Sequence, residues 1–111
     1  MQVRKTETFK KWLKKLRDQT GKSLILARID RLEEGNPGDW EPVGEGVFEM
    51  RIHYGPGYRL YCKETVFPDA GTGLIILLCG GDKSTRQADI TKAKQIALNP
   101  LKEEENDGNS E

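Results

Sequence analysis

Histidine occurs once in these 111 residues and cysteine twice, and the longest apolar run is the short stretch Leu74-Ile-Ile-Leu-Leu-Cys79. Each shortage excludes something. The cysteines, Cys62 and Cys79, sit in apolar runs with no metal-ligand spacing around them, so neither a zinc cluster nor a serine or cysteine triad can be assembled from the sequence pattern. They read as buried reduced thiols rather than a disulfide. The longest apolar run falls far short of the roughly 20 residues that a membrane span requires. The amino terminus is charged and lacks the apolar segment of a signal peptide. A soluble cytoplasmic chain with no membrane partner is expected. The segment Gly80-Gly81-Asp82-Lys83-Ser84 has neither the glycine spacing nor the Gly-Lys-Ser/Thr ending of a phosphate loop, which argues against a nucleotide site. No metal and no cofactor is expected.

Net charge is also missing, but the zero is a sum of unlike parts. The last eleven residues hold five acids (Glu103, Glu104, Glu105, Asp107, Glu111) against one base, Lys102. Residues 1–100 therefore keep 17 bases against 13 acids, a net of +4. The chain reads as one mildly basic domain, residues 1–100, followed by an acidic tail, residues 101–111. The tail has no aromatic or β-branched residue and is expected to be disordered.

What is present is strongly patterned. A short strand over residues 2–5 leads to Thr6 as a helix N-cap. Phe9, Trp12, Leu13 and Leu16 then fall at helical spacing, with Lys10, Lys11, Lys14, Lys15 and Arg17 on the opposite face. Asp18-Gln-Thr-Gly21 breaks that helix. A second helix is expected over residues 22–34, burying Ile25, Ile29 and Leu32 and stopping at Gly35. Residues 36–39 form a turn, and residues 40–46 read as a loop rich in Gly and Pro. Two alternating runs around Gly55-Pro-Gly57 predict a hairpin over about residues 47–54 and 58–64. Residues 67–73 make a wider connection. Leu74 to Cys79 is apolar on both faces, as in a strand covered on both sides. Gly80-Gly-Asp-Lys83 closes it, Ser84 and Gln87 form a capping box, and a helix follows over residues 85–98. The expected order is β-α-α-β-β-β-α, an α+β domain with the first two helices on one face of a small, mainly antiparallel sheet.

Within the hairpin, pairing Tyr54 with Tyr58 across a three-residue turn fixes the faces. Phe48, Met50, Ile52, Tyr54, Tyr58, Leu60 and Cys62 share the core side. The polar side sets His53 opposite Arg59, Arg51 opposite Tyr61, and Glu49 opposite Lys63. That collection suits metal-independent cleavage of RNA. A base must take the 2′-hydroxyl proton, cations must stabilise charge on the phosphate, and an acid must protonate the leaving oxygen. His53 offers acid or base chemistry near neutrality, and Arg51 and Arg59 offer planar forks that match phosphate oxygens. Tyr61 can stack on a base or donate a proton. Lys83, with the start of the last helix and Arg86 on its first turn, is expected to approach the same face. Lys63, Lys10 and Lys14 are candidate contacts to an RNA backbone. Each also has a plainer reading: Glu49 and Lys63 as a cross-strand ion pair, the helix lysines as a solvated face, and Tyr54 and Tyr58 as packing residues. Trp40, in its loop, suits local packing or a partner equally.

Several motifs occur in a telling order. They are Thr6-x-x-Phe9-x-x-Trp12-Leu13-x-x-Leu16-x-Asp18, Ala27-Arg28-Ile29-x-Arg31-Leu32-x-x-Gly35-Asn36, Arg51-Ile-His-Tyr-Gly-Pro-Gly-Tyr-Arg59, and Leu77-Leu-Cys-Gly-Gly-Asp-Lys-Ser84 with Asp89-Ile90 and Ala93. Over about residues 3 to 98 the chain resembles the RelE/ParE toxin superfamily, in its HigB-like branch of addiction-module killer proteins. The resemblance implies the RelE/ParE-like toxin fold. It also implies a type II toxin–antitoxin system, in which a helix-turn-helix antitoxin neutralises the toxin and the complex reaches operator DNA through the antitoxin. RelE-like and HigB-like members are mRNA interferases, cutting mRNA in the ribosomal A site, whereas ParE-like members inhibit DNA gyrase without cleaving RNA. Arg59 matches the family arginine that stabilises the cleaved phosphate, and Arg51 and Lys83 lie near two further basic positions. RelE-like toxins also carry a tyrosine early in the last helix. Ile90 and its neighbours occupy that place here, so proton transfer falls to His53 or Tyr61. A degenerate toxin that only binds its antitoxin is the third reading.

Overall fold

The computed structural model describes residues 2–67 and 72–100. The elements are β1 (Gln2–Lys5), α1 (Glu7–Lys15), α2 (Gln19–Glu33), β2 (Trp40–Gly44), β3 (Val47–Ile52), β4 (Tyr58–Phe67), β5 (Thr72–Gly81), a 3-10 turn (Lys83–Thr85) and α3 (Arg86–Ala97). Over the described residues this is an α+β fold with three helices and one mixed five-stranded sheet, ordered β1-β5-β4-β3-β2. β1 runs parallel to β5, and the other pairs are antiparallel. The middle of the expected connection, residues 68–71, and the acidic tail, residues 101–111, lie outside the described residues. Among the described residues no helix is long and apolar enough to cross a membrane.

Thr6 shows how the sequence turns the chain. Its buried hydroxyl accepts from Phe9 N–H at 3.1 Å, capping α1, and donates to Leu78 O at 2.6 Å. Leu78 is the extra residue of a bulge. Tyr61 pairs with Cys79 and Cys62 with Leu77, so β5 carries one residue more than β4 at that point. The bulge resets side-chain parity along the rest of β5. Leu74, Ile76 and Leu78 lie in the cluster under α3, and beyond the bulge Cys79 joins them. Gly80 then faces α1 and Gly81 faces α3. A Cβ on Gly80 would meet the Trp12 ring at 2.4 Å, and one on Gly81 would meet Asp89. The two glycines belong to the strand rather than to the turn expected after it, and they let both helices close on the sheet.

Each face of the sheet has its own core. Under α1 and α2 lie Phe9, Ile25, Ile29, Leu32, Met50, Ile52, Tyr58, Leu60, Cys62, Ile75 and Leu77. Under α3 lie Val47, Tyr61, Leu74, Ile76, Leu78, Cys79, Ile90, Ala93 and Ala97. Both thiols are free and buried, and burial pushes their ionisation upward, to about 12 for Cys79.

Four expectations change. Residues 40–44 form a strand, because β3 supplies a pairing edge, and an outer strand tolerates the missing N–H of Pro42. The sheet therefore has one strand more than expected. Helix α2 begins at Gln19, since Asp18 does not break a helix but caps one, accepting from Gly21 N–H at 3.0 Å. The capping residue after β5 is Asp82, paired with Thr85, not Ser84 with Gln87. The fourth change, the hairpin register, bears directly on the site.

Candidate functional site

In the hairpin Ile52 pairs with Tyr58, Arg51 with Arg59, Met50 with Leu60, Glu49 with Tyr61, Phe48 with Cys62 and Val47 with Lys63. The expected partners are displaced by two residues. An even displacement preserves which side chains share a face, so the faces stand along the paired residues while every cross-strand pair changes; Tyr54, expected on the core side, leaves the ladder for the longer loop and is 38% exposed. The connection is longer than a three-residue turn. Residues 53–57 leave the ladder, with Tyr54 N–H donating to Ile52 O and Gly57 N–H to Tyr54 O. Gly55 and Gly57 take φ of 55° and 78°, which glycine adopts without strain. Lys83 N–H donates to Pro56 O at 3.3 Å and fastens the loop to the end of β5.

This loop forms one wall of a cleft of about 630 Å³. Arg51, His53, Arg59, Lys83 and Arg86 line it, together with Glu41 and Tyr54. Five of the expected site residues therefore meet in one place. The polar face does not stay open along its length, however. Toward the middle of the sheet α3 covers it, and Glu49 and Tyr61 are both 0% exposed. Tyr61 donates its hydroxyl to Glu49 Oε2 at 2.9 Å, and burial pushes its ionisation well above the ordinary tyrosine range. It is a buried support and is closed to stacking on a base or to exchanging a proton with a ligand. Glu49 is not an exposed partner of Lys63. Lys63 instead donates to Ala97 O at 3.0 Å, satisfying the carboxy-terminal end of α3, and lines a separate cleft with Leu74 and Leu98. Lys10 and Lys14 line another cleft with Lys5, Lys22 and Leu26. None of these three lysines lines the cleft that holds Arg59.

The cations of the cleft differ in how far they are committed. Arg51 is spent: its Nε donates to Glu49 Oε1 at 3.1 Å, one terminal nitrogen is ion-paired with Glu41, and the other lies 4.0 Å from Asp39. Arg86 reaches Glu49 with Nε at 2.9 Å and Nη2 at 3.4 Å. Arg59, with a side chain 13% exposed, donates from Nη1 to Gly57 O at 2.7 Å and holds Nε 3.6 Å from Glu49 Oε2. Lys83 is exposed. The His53 side chain is 74% exposed, and its Nε2 lies 2.5 Å from Asp39 Oδ2, which leaves Nδ1 for a ligand. That contact, more than the nearby Arg51, holds the Asp39 carboxyl below its ordinary range.

The start of α3 offers less to an anion than expected. Asp82 already caps Ser84 N–H at 2.8 Å, and Asp89 accepts from Thr85 Oγ1 at 2.5 Å, so the chain supplies its own carboxylates there. Sequence patterns also missed Arg28, whose guanidinium donates to Arg51 O, Pro37 O and Asp39 O and so fixes the turn that presents Asp39. Nothing in the spacing of Arg28, Asp39 and Glu41 announces that they converge. Among the described residues no group of three or more His, Cys, Asp or Glu side chains is placed to hold a metal ion.

No protein-family model matches the chain, and no solved structure matches it. A protein of Haemophilus influenzae described as uncharacterized is 48% identical over 97 residues, which span 87% of this chain and 93% of that protein.

Proposed function

We propose, for a chain that belongs to one family with the Haemophilus influenzae protein, that it is the toxin of a type II toxin–antitoxin system. Its fold is then of the RelE/ParE type, and it acts in the cytoplasm as an mRNA interferase of the HigB-like branch. Its substrate is mRNA in the ribosomal A site, its neutralising partner is a helix-turn-helix antitoxin, and operator DNA is met only through that partner. The observation that carries this reading is the convergence of Arg59, Lys83 and Arg86 with the single histidine on one cleft.

The chemistry follows from what each group has left to give. His53 Nδ1, with Nε2 held by Asp39, takes the proton from a ribose 2′-hydroxyl. The 2′-oxygen attacks phosphorus and the 5′-oxygen departs, giving a 2′,3′-cyclic phosphate and a 5′-hydroxyl. Arg59 and Arg86 meet the charge that builds on the phosphoryl oxygens, and Lys83 is the cation able to hand a proton to the departing oxygen. Tyr61 and Arg51 take no direct part, one being buried and the other committed to carboxylates.

Arg59→Ala expressed without the antitoxin is expected to lose toxicity and cut RNA about 100-fold or more slowly, while still binding the antitoxin. Full toxicity in both Arg59→Ala and His53→Ala would refute the site. A second reading, a ParE-like gyrase inhibitor, gains from the burial of Tyr61, which removes one of the two side chains expected to stand in for the family's helix tyrosine. Gyrase-linked DNA cleavage with intact transcripts would favour it. A chain that binds the antitoxin yet leaves growth unchanged would instead be a degenerate toxin.

A further inference from the structure

We infer that Glu49 is the positioning residue of this cleft, a buried carboxylate that sets its arginines for a phosphodiester; the inference rests on the nuclease reading above. Glu49 projects from β3 toward α3 and is 0% exposed. Both of its oxygens are fully used. Oε1 accepts from Arg51 Nε and Arg86 Nη2, and Oε2 accepts from Tyr61 Oη and Arg86 Nε with Arg59 Nε close by. The three guanidiniums come from three elements, β3, β4 and α3, and Arg86 lies 37 positions from Glu49 in sequence. One carboxylate is the point at which they meet.

Stability alone does not account for a charge at this position. Taking a carboxylate out of water is costly, and well-packed apolar residues often replace buried ion pairs without loss. An apolar cluster that includes Val47, Tyr61 and Ile90 already lies under α3 on this side of the sheet. What an apolar residue cannot do is hold three like charges together at the floor of a cleft. Without Glu49 the guanidiniums repel and turn toward water. With it, Arg86 is fixed through two of its nitrogens, leaving Nη1, and Arg59 keeps Nη2 beyond its bond to Gly57. Three cations around one buried anion also leave a positive surplus. Glu41 and Asp39 quench that surplus on Arg51 but not on Arg59 and Arg86. The surplus is thus directed to the side of the cleft where Lys83 stands, and an oxyanion is the ligand that completes it.

The test replaces Glu49 by Gln, which keeps the shape and removes the charge, and reads two properties of the full chain. The first is the guanidinium Nε–H signals of Arg51 and Arg86 by nuclear magnetic resonance. The second is the affinity for a 2′-O-methyl oligoribonucleotide, which cannot be cut. Glu49→Gln is expected to lose exchange protection of both Nε–H groups and on the order of tenfold in affinity. Glu49→Asp, which keeps the charge one methylene back, is expected to recover part of both. Unchanged Nε–H signals, or lost signals with affinity intact, would overturn the inference. If the Gln variant does not fold, Glu49→Asp decides: wild-type signals and affinity in it contradict the role. A wild-type chain with no affinity for the oligoribonucleotide sinks the nuclease reading instead, and the Nε–H signals still decide whether Glu49 holds the arginines.

Discussion

The two faces of the sheet are covered to different depths, and the difference places the site. On one face α1 and α2 close a mainly apolar core in which Phe9, Ile25, Leu32, Met50, Leu60 and Leu77 meet. On the other, α3 has 12 residues, about 18 Å of helix, to lie across strands that run to ten residues, about 33 Å. Ile90, Ala93 and Ala97 cover one end of that face. The hairpin end is left uncovered, and there the same strands carry Arg51, Arg59 and the path to Lys83. Glu49 and Tyr61 sit at the boundary, polar groups sealed by the start of the helix. One face holds the fold together, and the other spends part of its burial on orienting charge.

If this division is right, damage to the apolar face costs stability and leaves the cleft's chemistry alone. Ile25→Ala removes a fully buried side chain between α2 and the sheet and is expected to cost about 3 kcal/mol in denaturant unfolding. RNA cleavage by the fraction that stays folded is expected to be unchanged. Gly80→Ala drives a methyl group into the Trp12 ring and is expected to cost about 2 kcal/mol by the same measurement. An Arg59→Ala protein unfolding as early as either of these would break the comparison, since Arg59 is assigned to the open side.

The smallest effect concerns acid. Asp18 is held below the ordinary carboxylate range chiefly by the Gly21 N–H and then by the Tyr58 hydroxyl, whose own ionisation burial pushes up to about 12. A carboxyl whose folded pKa is lowered stabilises the protein above its unfolded pKa and loses that contribution as pH falls through the folded value. Melting temperature is therefore expected to drop from about pH 4 downward, and Asp18→Asn to flatten that drop. An unchanged slope in Asp18→Asn would remove this cap from the list of acid-sensitive contacts.

Legibility followed the range of the interactions. Thr6 and its helix, the line of Ile25, Ile29 and Leu32, and the two faces of the hairpin are set by neighbours three or four residues away, or by strand parity. Those could be read. Trp40 to Gly44 could not, because Pro42 and Gly44 argue for a loop and only the edge of β3 makes them a strand. Hairpin register escaped too, since a two-residue slip leaves the paired hydrophobic residues on their proper faces and shows itself only at Tyr54, which the longer loop takes out of the core. Glu49 was the largest omission. Alternation placed it correctly on the polar face, but the contacts that bury it come from Tyr61 on the next strand and from Arg86, 37 residues away.

The most direct measurement of the central claim maps transcript ends in cells after induction of the wild-type chain without its antitoxin. The account predicts new 5′-hydroxyl ends within translated regions, absent from cells expressing Arg59→Ala. Growth arrest with transcripts intact, or the same ends in the Arg59→Ala strain, would contradict it.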